Sequence, residues 1–239
     1  MIFDLAGTLV EWPDDDPERR WALSYDHLAA ALRDRPLPGR EEYVRAMGDA
    51  EAAHWERVNR ERWSGPPTGL VRDGFRRLGF RAGEEELLAA LDAYSRVVEG
   101  WTVVAPDAVD TLRLLRECGY RLGLLSNTWW AADWHDAEIA THGLADLLDA
   151  VVYTSDLAHS KPHPSVFLEV AARLGVESGE CVMVGDRMVD DVSGGLGAGM
   201  RAVWKRNHKP WPVPEHIVPT ATIDHLAELP ALLRGWGGA

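Results

Sequence analysis

The chain opens on an apolar run, Met1-Ile2-Phe3, that continues through Asp4 to Leu5 and stops at Gly7-Thr8. Such a run, closed by glycine, predicts a buried strand ending in a tight turn. The pattern then changes. Trp21, Tyr25, Leu28 and Leu32 recur at helical spacing, as do Val71, Phe75 and Leu78, and then Leu87, Leu91, Tyr94 and Val98. Steps of three and four residues place apolar side chains on one helix face. Pro36, Pro38 and the Pro66-Pro67 pair punctuate these runs. Residues 13–100 are therefore expected to form a compact unit of about four helices with no strand.

From residue 101 the pattern alternates. Strands are predicted near 120–125, 149–153, 180–184 and 200–204, and helices near 106–118, 131–142, 164–175 and 188–198. Short apolar runs alternating with helices predict an α/β fold with a parallel sheet covered on both faces. Pro210, Pro212, Pro214 and Pro219 make 207–220 an irregular surface segment, and Leu226 to Leu233 a final helix. The expected organisation is thus an α/β core of residues 1–12 and 101–239, interrupted after its first strand by a helical unit of residues 13–100. Ligands of open α/β sheets bind at the carboxyl edge, where such an insert would lie.

Composition narrows the picture. In 239 residues, 46% are hydrophobic and 26% charged, an ordinary globular balance. A formal net charge of −13 argues against nucleic acid and anionic membrane as partners. Cys118 and Cys181 fit no metal or redox spacing and read as reduced thiols. With no apolar run near the ~18 residues of a membrane span, and no basic flank or long apolar region at the start, the protein is expected to be cytoplasmic. A strand beginning at residue 1 leaves room for native residues before Met1.

Four short segments end predicted strands or follow them: Phe3-Asp4-Leu5-Ala6-Gly7-Thr8-Leu9, Leu124-Leu125-Ser126-Asn127-Thr128, Ser160-Lys161-Pro162-His163-Pro164, and Val184-Gly185-Asp186-Arg187-Met188-Val189-Asp190-Asp191. Singly, each has a plain structural explanation. Asp4 would be a turn carboxylate, Ser126-Asn127 a helix cap, Lys161 a surface charge, and Asp190-Asp191 acids of a first helical turn. Together they place a nucleophile, a hydroxyl, a cation and further carboxylates on one sheet edge. Phosphoryl transfer needs that set. A carboxylate attacks phosphorus, a divalent cation separates acids that would otherwise repel, and hydroxyl, amide and ammonium groups hold the phosphate oxygens.

In these four segments, their order and the helical insert after the first, the sequence resembles the haloacid dehalogenase superfamily, in its helical-cap branch. The resemblance spans essentially the whole chain. It implies a Rossmann-like, doubly wound parallel sheet of order 3-2-1-4-5 with an inserted helical cap. It implies Mg²⁺ as cofactor and a small phosphorylated compound as substrate. Asp4 would be the nucleophile, and Ser126, Asn127, Lys161 and Thr8 would bind phosphate. Asp4, the Ala6 backbone carbonyl, Asp186 and Asp191, with Asp190 a close rival, would hold the metal.

One position departs from the family. Most of its phosphatases carry a second aspartate two residues after the nucleophile to protonate the leaving group; here that position is Ala6. Phosphonoacetaldehyde hydrolases also have alanine there, but rely on a cap lysine, and this chain has no lysine before Lys161. Metal-independent 2-haloacid dehalogenases lack the acid too, since halide needs no proton. They remain the enzymatic alternative, beside a catalytically weak protein that binds phosphorylated metabolites or protein partners. Trp129, Trp130 and Trp134 after Ser126 are candidates for a pocket wall or for packing, and His135, His159 and His163 for a replacement acid. Trp12, Arg19 and Arg62 are further candidates for reading substrate.

Overall fold

The computed structural model describes residues 1–12 and 16–237. Residues 13–15, where the predicted helical unit begins, and 238–239, the end of the predicted core, lie outside the described residues. Six parallel strands form the sheet: β1 (Ile2–Phe3), β4 (Gly123–Ser126), β5 (Ala150–Tyr153), β6 (Val182–Gly185), β7 (Arg201–Lys205) and β8 (Ala221–Ile223). Their order is β5-β4-β1-β6-β7-β8. The first five follow the 3-2-1-4-5 order expected of the family, and β8 adds a sixth strand that the apolar pattern did not predict. β1 sits between β4 and β6, with Ile2 opposite Gly123 and Met183, and Phe3 opposite Leu124 and Val184.

Alternation along the strands sorts side chains to the two faces. Phe3, Leu122, Leu124, Val182, Val184 and Val203 pack with α5 (Ala108–Glu117) and α9 (Leu229–Gly235). Ile2, Leu125, Val152 and Met183 pack on α7 (Pro164–Leu174). Pro164 at its first turn and Gly175 just past its end, at φ 66°, bound α7 as helix start and stop chemistry require. α6 (Ala132–Thr141) follows β4. The predicted helix 188–198 is instead a wide π-type turn, Met188–Ser193, followed by the short α8 (Gly194–Gly197).

Between β1 and the rest of the sheet lie four helices: α1 (Pro17–Ala31), α2 (Arg40–Glu61), α3 (Pro67–Arg77) and α4 (Glu84–Val98). Asp16 caps α1 by accepting from the Arg19 amide at 3.2 Å, with Pro17 at the first helical position. The helical spacing of the sequence becomes one apolar cluster. Trp21, Leu28, Val71, Phe75, Leu87, Leu91 and Tyr94 share it with Tyr43 and Met47 of α2, and Trp129 and Trp130 join from the segment after β4. A short antiparallel pair, β2 (Val10–Glu11) with β3 (Val103–Val104), ties the two ends of the insertion together. Residues 207–220 carry no regular element, as their prolines dictate. Among the described residues, no helix is long and apolar enough to cross a membrane.

Candidate active site

The reversal of strand order at β1 opens a crevice beyond the carboxyl ends of β1, β4 and β6. The candidate residues converge there. Asp4 follows β1, and its amide donates to the Val184 carbonyl at 2.9 Å. Ser126 ends β4, Asp186 follows β6, and Lys161 lies between β5 and α7. All four are buried. The Lys161 Nζ donates to Asp4 Oδ1 at 2.5 Å, to Asp191 Oδ1 at 2.6 Å and to the Leu125 carbonyl at 3.0 Å. An ammonium has three hydrogens, so Lys161 is fully engaged as counter-ion between two carboxylates. The sequence reading had it reaching for phosphate directly.

Asn127 holds that lysine in place. Its Oδ1 accepts from the Lys161 amide at 2.8 Å, and its Nδ2 donates to the Lys161 carbonyl at 3.1 Å. Asp191 comes off the wide Met188–Ser193 turn, where its Oδ2 accepts from the Arg187 amide at 2.9 Å. Asp190 points differently: its Oδ2 lies 2.7 Å from Arg187 Nη1. The open choice between Asp190 and Asp191 resolves geometrically to Asp191 for the cluster, since ligand atoms of Asp4, Asp186 and Asp191 all lie within 4.8 Å of one another.

Three buried carboxylates around one ammonium are electrostatically incomplete. Burial pushes the Asp4 carboxyl up to about 6, with Lys161 opposing and Asp191 adding to the rise. Burial, with the charges of Asp4 and Asp191, pushes Asp186 up to about 8. Burial also works against the charge of Lys161, yet Asp191 and Asp4 hold its pKa above the usual lysine value. Asp186 Oδ2 accepts from Asn207 Nδ2 at 2.6 Å, while Oδ1 is buried with no hydrogen-bond partner. Hard carboxylate oxygens, one of them orphaned, fit a divalent cation such as Mg²⁺.

Above this cluster lies a cavity of about 470 Å³ that reaches from the sheet edge to α1 and α2. Asp4, Ala6, Ser126, Asn127 and Lys161 line its floor, and Arg20, Glu51 and Trp55 its far side. A second cleft, of about 760 Å³, lies between α1 and α2 and includes none of the sheet-edge residues. Thr8, predicted to bind phosphate, is fully buried, lines no part of the cavity, and has an unpartnered hydroxyl. His135 does line the cavity, with Nδ1 2.8 Å from Glu138 Oε2 and Nε2 2.9 Å from Thr128 Oγ1. His163 instead caps α7, accepting from the Ser165 amide at 3.3 Å, and its ring stacks on His159 at 3.9 Å. Arg62 ends α2 and Arg19 lies over Trp101; the residue next to Arg19, Arg20, lines the cavity from α1. Sequence reasoning missed Asn207, Arg187, Glu51 and Trp211. Asn207 and Trp211 come from the proline-rich segment, whose pattern carries no register.

Residues 1–199 match the family model of haloacid dehalogenase-like hydrolases. A glyceraldehyde 3-phosphate phosphatase of Methanopyrus kandleri is 33% identical over 162 residues, 66% of this chain and 69% of that protein. A ribulose-1,5-bisphosphate 5-phosphatase of Halopiger xanaduensis is 29% identical over 85% of this chain and 82% of its own length. Among solved structures, a haloacid dehalogenase-type phosphatase from Thermococcus onnurineus superposes with a TM-score of 0.63 at 28% identity, covering 99% of this chain and 97% of the other. A 2-haloacid dehalogenase from Pseudomonas syringae gives 0.66 at 26%, covering 98% and 97%.

Proposed function

Since the chain belongs to the haloacid dehalogenase-like hydrolases, we propose that it is a phosphatase for small phosphorylated compounds, acting through an aspartyl-phosphate on Asp4. The observation that carries this reading is the convergence of Asp4, Asp186 and Asp191 on Lys161 at the floor of one cavity. The names of the relatives, both phosphatases, support it.

Lys161 fixes Asp4 by binding Oδ1, leaving the second carboxylate oxygen to attack phosphorus. The Ser126 hydroxyl and the Asn127 amide, both on the cavity floor, would donate to the phosphoryl oxygens. Asn127 also clamps Lys161, so that the counter-ion stays put as charge moves from Asp4 to the transferring group. A Mg²⁺ ion held by Asp4, Asp186, Asp191 and the Ala6 carbonyl would supply the positive charge that the phosphoryl oxygens need. The helices α1–α4 would act as a cap over the cavity, limiting its access to bulk water.

The metal-independent dehalogenase reading is the weaker one because of Asp186. Without a cation it leaves a third carboxylate buried among two others, with an orphaned oxygen. The purified protein is expected to release phosphate from acyl, aryl or alkyl phosphates only with Mg²⁺ present. Asp4→Asn keeps the size of the side chain and should reduce turnover to background. Full turnover by Asp4→Asn would remove the covalent mechanism, and metal-free activity on 2-chloropropionate would replace it with dehalogenation.

A further inference from the structure

Five tryptophans line the cavity above Asp4: Trp12, Trp55, Trp129, Trp130 and Trp211. They arrive from four separate places: the segment after β2, helix α2, the segment after β4, and the proline-rich stretch 207–220. Trp12 meets Trp130 edge to face at 5.0 Å, and Trp130 stacks on His135 at 5.1 Å. Trp12 and Trp55 are half-buried, and Trp211 is 40% exposed. Trp129 and Trp130 are buried in the helical cluster, and Arg187 lies over one face of Trp211 at 4.3 Å. Trp12, Trp55 and the other face of Trp211 keep ring surface on the wall of a cavity sized for a small organic molecule.

The charged side chains of the same wall are already committed to one another. Glu51 accepts from Trp21 Nε1 at 2.7 Å and pairs with Arg20; His135 is held between Glu138 and Thr128; Arg187 pairs with Asp190. A polyol entering here would strip hydroxyls of water and find those donors and acceptors occupied. A flat ring needs no such partners.

The same commitments bear on the leaving group. Lys161 spends its three hydrogens on Asp4, Asp191 and Leu125. Ala6, which lines the cavity two residues beyond Asp4, offers only a methyl group. Among the described floor residues, Ser126 keeps a hydroxyl for the phosphoryl oxygens, but a hydroxyl is a poor acid. Apart from the nucleophile Asp4, no carboxylic acid or imidazole lies on the floor beside Ala6 to protonate a departing oxygen. A phenol ionises near pH ~10, as tyrosine does, whereas an alcohol holds its proton far above that, as water does. A phenolate can leave unaided, and an alkoxide cannot.

From these two independent observations, and resting on the phosphatase reading above, we infer that the substrates are aryl phosphates, phosphate monoesters of phenols whose ring lies among the five tryptophans. Asp4 forms a bond to phosphorus as the bond from phosphorus to the aryl oxygen breaks, and the aryl oxide departs with the electron pair. Water then attacks phosphorus and frees the Asp4 carboxylate. The proton it sheds goes to solvent, from which the aryl oxide takes one, giving a phenol and inorganic phosphate.

Four substrates separate the ideas: 1-naphthyl phosphate, phenyl phosphate, benzyl phosphate with a ring but an alkoxide leaving group, and acetyl phosphate with a good leaving group but no ring. The wild-type kcat/KM should be at least about 100-fold higher for phenyl than for benzyl phosphate, the size of one general acid–base contribution. Trp55→Ala and Trp211→Ala should each raise KM for 1-naphthyl phosphate at least about fivefold more than KM for acetyl phosphate. The second of these removes an exposed side chain and leaves the core intact. Turnover of benzyl phosphate, or of a nucleoside 5′-monophosphate, at the phenyl phosphate rate would overturn the inference. So would equal losses on both probes in both variants. Acetyl phosphate turnover with no aryl preference leaves the phosphatase reading standing and removes only this one, whereas no phosphate release from any of the four removes both.

Discussion

At the scale of single residues, the site is organised around a lysine that is spent on its own protein. Lys161 ties Asp4 to Asp191, and Asn127 ties Lys161 to the segment after β4. Ala6 is the complement of that economy: the site orients a nucleophile but leaves the leaving group without a proton source. Ala6 is exposed and faces the cavity, so Ala6→Asp adds a carboxylate where there is room and water. Hydrolysis of an alkyl phosphate should then rise at least about 10-fold, a conservative part of an acid–base contribution, while an aryl phosphate gains less. A folded Ala6→Asp protein with unaltered rates on both would mean that proton transfer is already supplied from elsewhere, with His135 the first place to look. The positions of Asp4, Ser126, Lys161, Asp186 and Asp191 were legible because each ends a strand or lies in the segment after one, and strand ends share one sheet edge. Asn207 and Glu51 were not. Asn207 acts through a hydrogen bond to Asp186 and Glu51 through bonds to Trp21 and Arg20, all far away in sequence, and no local pattern encodes such pairings.

At the scale of elements, two backbone features aim the carboxylates. The turn after β1 passes through Gly7 at φ 88°, and a Cβ there would come within 2.6 Å of Asp186 Oδ2. Gly7→Ala would thus be strained twice, by its dihedral and by displacing Asp186. It is expected to cost about 1–3 kcal/mol of stability and to weaken Mg²⁺ binding, both measurable by calorimetry. An alanine variant with native melting and native metal affinity would show that Asp186 does not depend on this close approach. The second feature is the π-type turn at Met188–Ser193, in which the Val192 amide reaches back to the Arg187 carbonyl at 3.2 Å. Widening the turn sends Asp191 to Lys161 and Asp190 to Arg187. Apolar spacing announced a helix here and was silent on the extra residue, because one inserted residue leaves Met188 and Val192 both buried. β8 escaped for a related reason. Ala221–Ile223 is three residues long, follows a run of prolines, and pairs only at the sheet edge.

At the scale of the whole molecule, the buried carboxylates link stability to pH. Asp4 and Asp186 titrate near 6 and near 8 in the folded protein, above the ordinary value of about 4 for aspartate. Without metal, the folded state therefore keeps protons that the unfolded chain has released. Stability is present at low pH and lost as pH rises from about 4 toward 8. His54, lowered to about 4 chiefly by burial, acts in the opposite direction below about 6.5. It is common to wild type and Asp186→Asn, so it cancels in their difference. The wild-type melting temperature, relative to Asp186→Asn, is expected to fall between pH 5 and 8 without Mg²⁺, and Mg²⁺ should restore it increasingly as pH rises. Parallel profiles would mean that Asp186 is ionised throughout. A different consequence follows from the pairing of Val10 with Val104 and Glu11 with Val103. Paired strands lie about 5 Å apart, so the segment between β2 and β3 leaves this pair, which stands apart from the six-stranded sheet, and returns to it at almost the same point. The entropy of closing a loop grows only with the logarithm of its length, about 0.6 kcal/mol per doubling. To the strands that carry Asp4 and Ser126, the whole helical segment is thus topologically a hairpin connection. Its length and contents can drift, and with them the shape of what is recognised, while the registers that aim the chemistry stay fixed.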